Sequence, residues 1–333
     1  MTEPCPWCGA TGESLWEEDA LAVREMMFGT RDPFMLKRCG ICASLVLQDP
    51  PADLAPYYPP NYYSFESEPL QPSGPVRIAF GAAGVPLTRL GPGLADGLLA
   101  RSRPSLGVFR ALAGRGVRRS SRILDVGSGD GFQLSVLAAF GFRNLLGIDP
   151  YLSEPRAFGA VELRRSSLAE MKGEFDVIFF NHVLEHLADP AAELGRTLDR
   201  LAPGGTVVVR VPLSDSWAAR TYGADWVQLD SPRHLTVPTA AGVKAAAGFA
   251  GLDLVREFRD STGFGYWASE QYGEDVPLRD ERSWLESPER SPLTAADIDR
   301  CDELAREHNE AGDGDQGCFV LERAGVTGLS SAA

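Results

Sequence analysis

The chain has 333 residues, 44% of them hydrophobic, which is enough for one large or two modest domains with a real core. Its formal net charge of −14 argues against the electrostatic footprint that nonspecific nucleic-acid binders carry. The start, MTEPCPWCGATGES, has no basic region followed by an apolar run, and no stretch approaches the roughly 18 apolar residues of a membrane span. Neither a signal peptide nor a membrane segment is therefore supported, and a cytoplasmic address is expected.

Residues 1–66 hold two C-x2-C knuckles, CPWC at Cys5 and Cys8 and CGIC at Cys39 and Cys42, and end in APYYPPNYYSF. Four soft thiolates suit a structural, tetrahedral zinc ion with no position left open for catalysis. The interval between the knuckles exceeds the usual ribbon spacing, so ALAVREMMFGTRDPFMLKRC is expected to fill it as a long hairpin. A redox pair is the alternative, although no thioredoxin-like strand pattern surrounds either knuckle. Cys301 and Cys318 are isolated and read as filler. Residues 67–117, rich in Gly, Pro and Arg, read as a linker with short helices. The Arg-rich stretch from Arg77 to Arg122 and the acidic one from Glu270 to Asp315 are either two solvated faces or a basic strip for an anionic substrate.

From residue 118 to residue 324 the texture is that of one domain. RILDVG, NLLGIDP, FDVIFFN and TVVVRVP read as strands, FQLSVLAAFG and DPAAELGRTLDRLAPGG as helices between them, the latter running from Pro190 to a stop at Gly204. VPTAAGVKAAAGFAG follows as a helix and LDLVREFRDS as a strand. TAADIDRCDELAREHNEAG reads as an exposed amphipathic helix capped by Thr294, carrying a solvent-facing His308, and GCFVLERA as a closing strand. Residues 325–333 read as a disordered tail. Strands alternating with helices at this spacing predict an α/β fold with a parallel, doubly wound sheet.

The first of these strands runs into DVGSGDGF, where glycines let backbone amides approach a ligand closely. The spacing is G-x-G-x-G, preceded by Asp125, and not the G-x-G-x-x-G of a dinucleotide site. This pattern resembles the class I methyltransferases that use S-adenosylmethionine, and FDVIFFNHVLEHLADP followed by LAPGGTVVVRVP is similar to their fourth-strand and fifth-strand motifs. The resemblance implies a Rossmann-like sheet, mostly parallel with an antiparallel last strand, and a bound S-adenosylmethionine. It assigns Asp125 and the loop of Gly127, Ser128, Gly129 and Gly131 to the methionine part of the cofactor, Asp149 to the ribose, and Ser166, Ser167 and Leu168 to the adenine. Asn181 and His182 fall beside the sulfonium, with Glu185 and His186 on the turn that follows.

Two knuckles followed by YYPPNYYSF and a methyltransferase domain resemble a bacterial group in which a zinc-ribbon-like module precedes the catalytic domain, with members in sugar, polysaccharide and natural-product biosynthesis. On that resemblance Tyr57, Tyr58, Tyr62 and Tyr63 form a lid, or else pack between domains. Four histidines are present, His182, His186, His234 and His308. His234, in LDSPRHLTVPT, follows the fifth strand by enough chain to fold back over the strand ends, which makes it the general-base candidate; His182 is the second catalytic candidate. Arg233 is expected to meet an anionic group of the acceptor or to form a salt bridge to the acidic C-terminal region, and Trp226 to offer a flat surface to the acceptor. PRHL stands where sugar C-methyltransferases carry a His-Glu-His type sequence, which favours O-methylation over C-methylation. The expected activity is methyl transfer to a small-molecule acceptor, a sugar, nucleotide-linked sugar or secondary metabolite, without nucleic acid or membrane and with a homodimer allowed. The alternative is a non-catalytic methyltransferase-like protein whose zinc module docks a partner.

Overall fold

The structure, a computed structural model, describes residues 3–12, 15–59 and 107–325. The N-terminal part contributes strands β1 (Leu21–Arg24), β2 (Pro33–Arg38) and β3 (Leu45–Leu47). β1 and β2 pair antiparallel as the expected hairpin. Helix α1 (Gly107–Leu112) is a short helix of the predicted linker; the rest of that stretch up to residue 106 and the domain boundary at 66 lie outside the described residues, as does the tail from residue 326.

Six predicted elements of the larger domain form where expected: β4 (Arg122–Val126), α2 (Phe132–Ala139), β5 (Asn144–Ile148), then, after the short strands β6 (Arg156–Phe158) and β7 (Val161–Arg164), β8 (Phe175–Asn181), α3 (Pro190–Arg196) and β9 (Leu201–Pro212). α3 is shorter than predicted. It ends at Arg196, a single tight turn covers Thr197–Asp199, and Leu201 already lies opposite Phe175 in the sheet. The reason is local: the Thr197 hydroxyl donates to the Leu194 carbonyl at 2.6 Å, competing with helix continuation, and Leu201 gains a buried sheet position.

The chain then makes α4 (Trp217–Tyr222), β10 (Thr236–Val237), α5 (Ala240–Phe249), β11 (Leu252–Arg259), α6 (Phe264–Gly273), α7 (Ala295–Ala311) and β12 (Gln316–Arg323). Thr294 caps α7 in a capping box with Asp297, as its sequence suggests. α6 was not legible: Tyr266, Trp267, Ala268, Ser269, Gln271 and Tyr272 are all buried, so no polar stripe marks it.

The large sheet runs β11-β12-β9-β8-β4-β5-β7-β6, parallel through β9, β8, β4, β5 and β7, with β12 inserted antiparallel between β9 and β11. This is a Rossmann-like sheet, mostly parallel with an antiparallel last strand. Alternate residues of the central strands enter opposite cores, as a period of two requires. Leu124, Ile178 and Val209 face the core with α3 and α5; Ile123, Val177 and Val208 face the one with α1 and α2. Cys5, Trp7, Cys39 and Cys42 belong to the first core, so the cysteine knuckles pack against the face that α5 covers.

The small sheet has the order β1-β2-β3-β10. β10, from the loop after β9, pairs with β3 through Thr236 opposite Val46 and Val237 opposite Leu45. The loop after β9, which carries His234, is thus fixed by the N-terminal strands.

Candidate functional site

Parallel strands β4, β5 and β8 end along one edge, where ligands bind in open α/β sheets. Asp125 sits one residue before the end of β4, and Asp149 follows β5. Both are buried. Burial, reinforced by the charge of Asp149, pushes the Asp125 carboxyl up to about 8. Burial also raises Asp149, but Asp149 is oriented: its Oδ2 accepts from the Gly129 amide at 3.0 Å and its Oδ1 from the Tyr151 amide at 2.8 Å. One lone pair on each oxygen is left for a ligand's two hydroxyls.

Between them the turn holds Gly127 at φ 68°, Gly129 at 49° and Gly131 at 80°, conformations that favour glycine. At Gly127 space forbids anything larger as well, since an added Cβ would lie 2.5 Å from Val183. The Ser128 hydroxyl is buried without a hydrogen-bond partner among the described residues. A paired acid edge, an open turn and an orphaned hydroxyl are the donors and acceptors that S-adenosylmethionine requires, so the residues present fit it. Ser166, Ser167 and Leu168 follow β7, beside β5 in the sheet, and are braced by Glu170, whose Oε2 accepts from the Ser167 amide at 2.9 Å and the Ser166 hydroxyl at 3.2 Å.

At the end of β8, Asn181 accepts from Arg210 at 3.2 Å. His182 has φ 55° and makes contacts from both ring nitrogens. Nδ1 is 3.0 Å from Glu185 Oε1, while Arg210 at 3.4 Å and the Gln316 amide both point donors at Nε2. Nδ1 therefore carries the proton and the Nε2 lone pair is engaged. His182, the second catalytic candidate, thus has both ring nitrogens engaged within the protein. Arg210 itself, anchored by Asp260 at 2.7 Å, was missed; its signal was an arginine inside the apolar run TVVVRVP.

His234 is 3% exposed and its ring lies edge-on to that of His186, with centroids 4.7 Å apart. His234 Nδ1 donates to the Gln228 carbonyl at 2.7 Å, and His186 Nδ1 donates to the Arg233 carbonyl at 2.9 Å. A carbonyl oxygen only accepts, so the unprotonated nitrogen of each ring is Nε2. Glu185, fully buried, completes the group: Glu185, His186 and His234 each place one ligating atom within 4.8 Å of the others. Burial would push the Glu185 carboxyl up, but the hydrogen bond from His182 holds it below the ordinary carboxylate range. Burial and the neighbouring His234 lower His186.

Two acceptor-side expectations are corrected. Arg233 does not face a ligand: it is 0% exposed and pairs with Glu25 at 2.8 Å and Asp230 at 2.6 Å, and donates to the Tyr57 carbonyl at 3.2 Å. Trp226 is core, 1% exposed, its indole N–H donating to Asp315 at 3.2 Å. His308, expected to face solvent, is half-buried and stacks on Trp217 with centroids 4.4 Å apart. Of the tyrosine group, Tyr58 reaches His186 Nδ1 at 3.3 Å and stacks on Tyr151, and Tyr57 donates to Asp32 at 2.9 Å; Tyr62 and Tyr63 lie outside the described residues.

In the N-terminal part, Cys5 and Cys42 Sγ are 3.6 Å apart and Cys8 and Cys39 Sγ 3.7 Å, with all four mutually within 4.8 Å. Zn–S bonds of about 2.3 Å in a tetrahedron put sulfurs about 3.8 Å apart, so the quartet is compatible with zinc.

Residues 101–257 match a family model described as a methyltransferase domain. Over these residues the chain is similar to methyltransferase domains. It is 31% identical over 108 residues to trans-aconitate 2-methyltransferase of Deinococcus radiodurans, covering 31% of this chain and 42% of that protein. It is 30% identical over 125 residues to the ubiquinone biosynthesis O-methyltransferase of a Bradyrhizobium species, covering 34% and 49%. It is 31% identical over 104 residues to the tRNA U34 carboxymethyltransferase of Pseudomonas fluorescens, covering 27% and 32%. The chain thus spans less than half the length of these three relatives.

Proposed function

We propose that the chain is an enzyme that transfers the methyl group of S-adenosylmethionine to a hydroxyl of a small-molecule acceptor, a sugar, nucleotide-linked sugar or secondary metabolite. The observation that carries this reading is the pair Asp125 and Asp149 flanking the glycine turn, with Asp149 already oriented by two amides. S-adenosylmethionine supplies an electrophilic methyl on a sulfonium. Asp149 binds the ribose hydroxyls, Asp125 and the amides from Gly127 to Gly131 the methionine end, Ser166, Ser167 and Leu168 the adenine, and Asn181 lies beside the sulfur. His182, locked by Glu185, Arg210 and Gln316, keeps the turn after β8 in place. His234 activates the acceptor. The work of the protein is then to align acceptor oxygen, methyl carbon and sulfur and to dispose of the hydroxyl proton.

The net charge of −14 supports a small acceptor over nucleic acid, and the O-methyltransferase among the relatives supports oxygen as the atom methylated. A zinc ion on Cys5, Cys8, Cys39 and Cys42 is structural in this reading, holding the β3 end that pairs with β10. Calorimetric titration with S-adenosylmethionine tests the assignment: saturable binding is expected, and its absence leaves the non-catalytic, partner-docking alternative. Given binding, sugar, nucleotide-sugar and tRNA acceptors are then compared in a methyl-transfer assay, and His234→Ala is expected to abolish turnover with cofactor affinity intact. Turnover on tRNA alone would overturn the acceptor class.

A further inference from the structure

Glu185 Oε2 is buried with no hydrogen-bond partner among the described residues, while Oε1 is used by His182. A buried carboxylate oxygen left without a partner is unfavourable unless a proton or cation meets it. The groups nearest it are two imidazoles whose Nδ1–H groups are tied to backbone carbonyls of Arg233 and Gln228, an arrangement that fixes each Nε2 as a lone-pair donor. Outer-sphere carbonyls hold metal-ligating histidines in this way. The remaining charged group facing His234 is Asp230, 3.9 Å from its Nε2, and Asp230 is already engaged by Arg233.

We infer that Glu185, His186 and His234 form a second metal site, distinct from the cysteine quartet, which takes one divalent first-row cation and leaves coordination positions open towards the cleft. Two imidazoles and one carboxylate are a donor set for such ions and lack the soft thiolates of the first site. Their ligating atoms, within 4.8 Å of one another, need only small rotations to reach the roughly 3 Å spacing set by metal–ligand bonds of about 2.0–2.2 Å.

The location gives the ion a task. Val183, two residues before Glu185, packs over Gly127, so the site borders the glycine turn. The ion's role, though not its binding, rests on the methyltransferase reading. A cation here makes an acceptor hydroxyl that reaches it more acidic. The proton leaves to water, the oxygen's pair forms the new O–CH3 bond, and the pair of the breaking S–CH3 bond returns to sulfur as the neutral thioether. His234 then activates the acceptor as a ligand and not as a free base.

Mn2+ distinguishes the two sites because it prefers nitrogen and oxygen to thiolate. Mn2+ is titrated into full-length protein carrying a single equivalent of zinc per chain, held by the cysteine quartet, and followed by electron paramagnetic resonance. One saturable Mn2+ per chain is expected, weakened more than about 100-fold in His234→Ala and in Glu185→Gln, since loss of a ligand should exceed the 10–100-fold cost of losing an outer-sphere partner. Glu185→Gln keeps the side-chain shape, and melting temperature and S-adenosylmethionine binding confirm that each variant is folded. Equal Mn2+ binding in wild type and both folded variants, or no saturable binding in wild type, overturns the site. Mn2+ binding without cofactor binding sinks the methyltransferase reading and leaves the site standing.

Discussion

Arg233 Nη2 lies 2.8 Å from Glu25 Oε1, and both side chains are fully buried, which joins positions 208 residues apart in the chain. Glu25 also accepts from the amides of Phe28 and Thr30 at 3.0 Å each, so the acid is fixed before the arginine meets it. Burial alone would lower the Arg233 pKa, and Asp230 and Glu25 more than offset it. Because His234 follows directly, the N-terminal hairpin sets where the acceptor-side loop stands. Arg233→Met should destabilise the protein by about 3–5 kcal/mol, the usual penalty for stranding a buried charge, as measured by denaturant unfolding. Unchanged stability with only a raised KM for the acceptor would return Arg233 to substrate binding.

Asp125 predicts a pH dependence. Its folded pKa of about 8 lies far above the ordinary 3.8. Below about pH 4 the group is neutral in both states; between about 4 and 8 the unfolded chain releases the proton and the fold retains it, so stability falls through that window and levels off above it. Asp125→Asn should remove this component of the slope. The cationic cofactor favours the ionised carboxyl, so S-adenosylmethionine affinity should rise between about pH 6.5 and 8.5 in wild type and stay flatter in Asp125→Asn, read by calorimetry.

Gly127 and Val183 form a steric pair. Gly127→Ala puts a methyl at φ 68° and 2.5 Å from the valine, which predicts weaker cofactor binding and a loss of about 1–3 kcal/mol. Gly127→Ala with Val183→Ala should recover part of the loss, leaving the backbone strain. A double variant no better than the single would assign the whole effect to backbone conformation.

The cysteine quartet should hold one zinc ion per chain, and Cys42→Ser should lower both the zinc content and the melting temperature. The Thr239 hydroxyl donates to the Cys42 carbonyl at 2.6 Å and caps α5 through the Gly242 amide at 3.0 Å, so the damage should spread to the loop before α5. Faster hydrogen exchange at residues 229–242 is the readout, and normal protection there would confine the zinc module's influence to itself.

Strands β4, β5, β8 and β9, the glycine turn with its two acids, and the four cysteines were legible in order because each is written in neighbouring residues: apolar runs of strand length, glycines where φ is positive, thiols at a fixed spacing. His234 was legible as a polar group on the loop after β9. What the loop does with its arginine, tryptophan and histidine was decided by partners remote in sequence. Glu25 neutralises Arg233, Asp315 takes the Trp226 N–H, and Glu185 with His186 turns a lone histidine into one donor of three. Periodicity and turn chemistry report on a residue's own backbone, whereas charge pairing and ligand sets depend on which side chains a fold brings within a few ångströms. Those contacts exist only once the sheet and hairpin have closed around them.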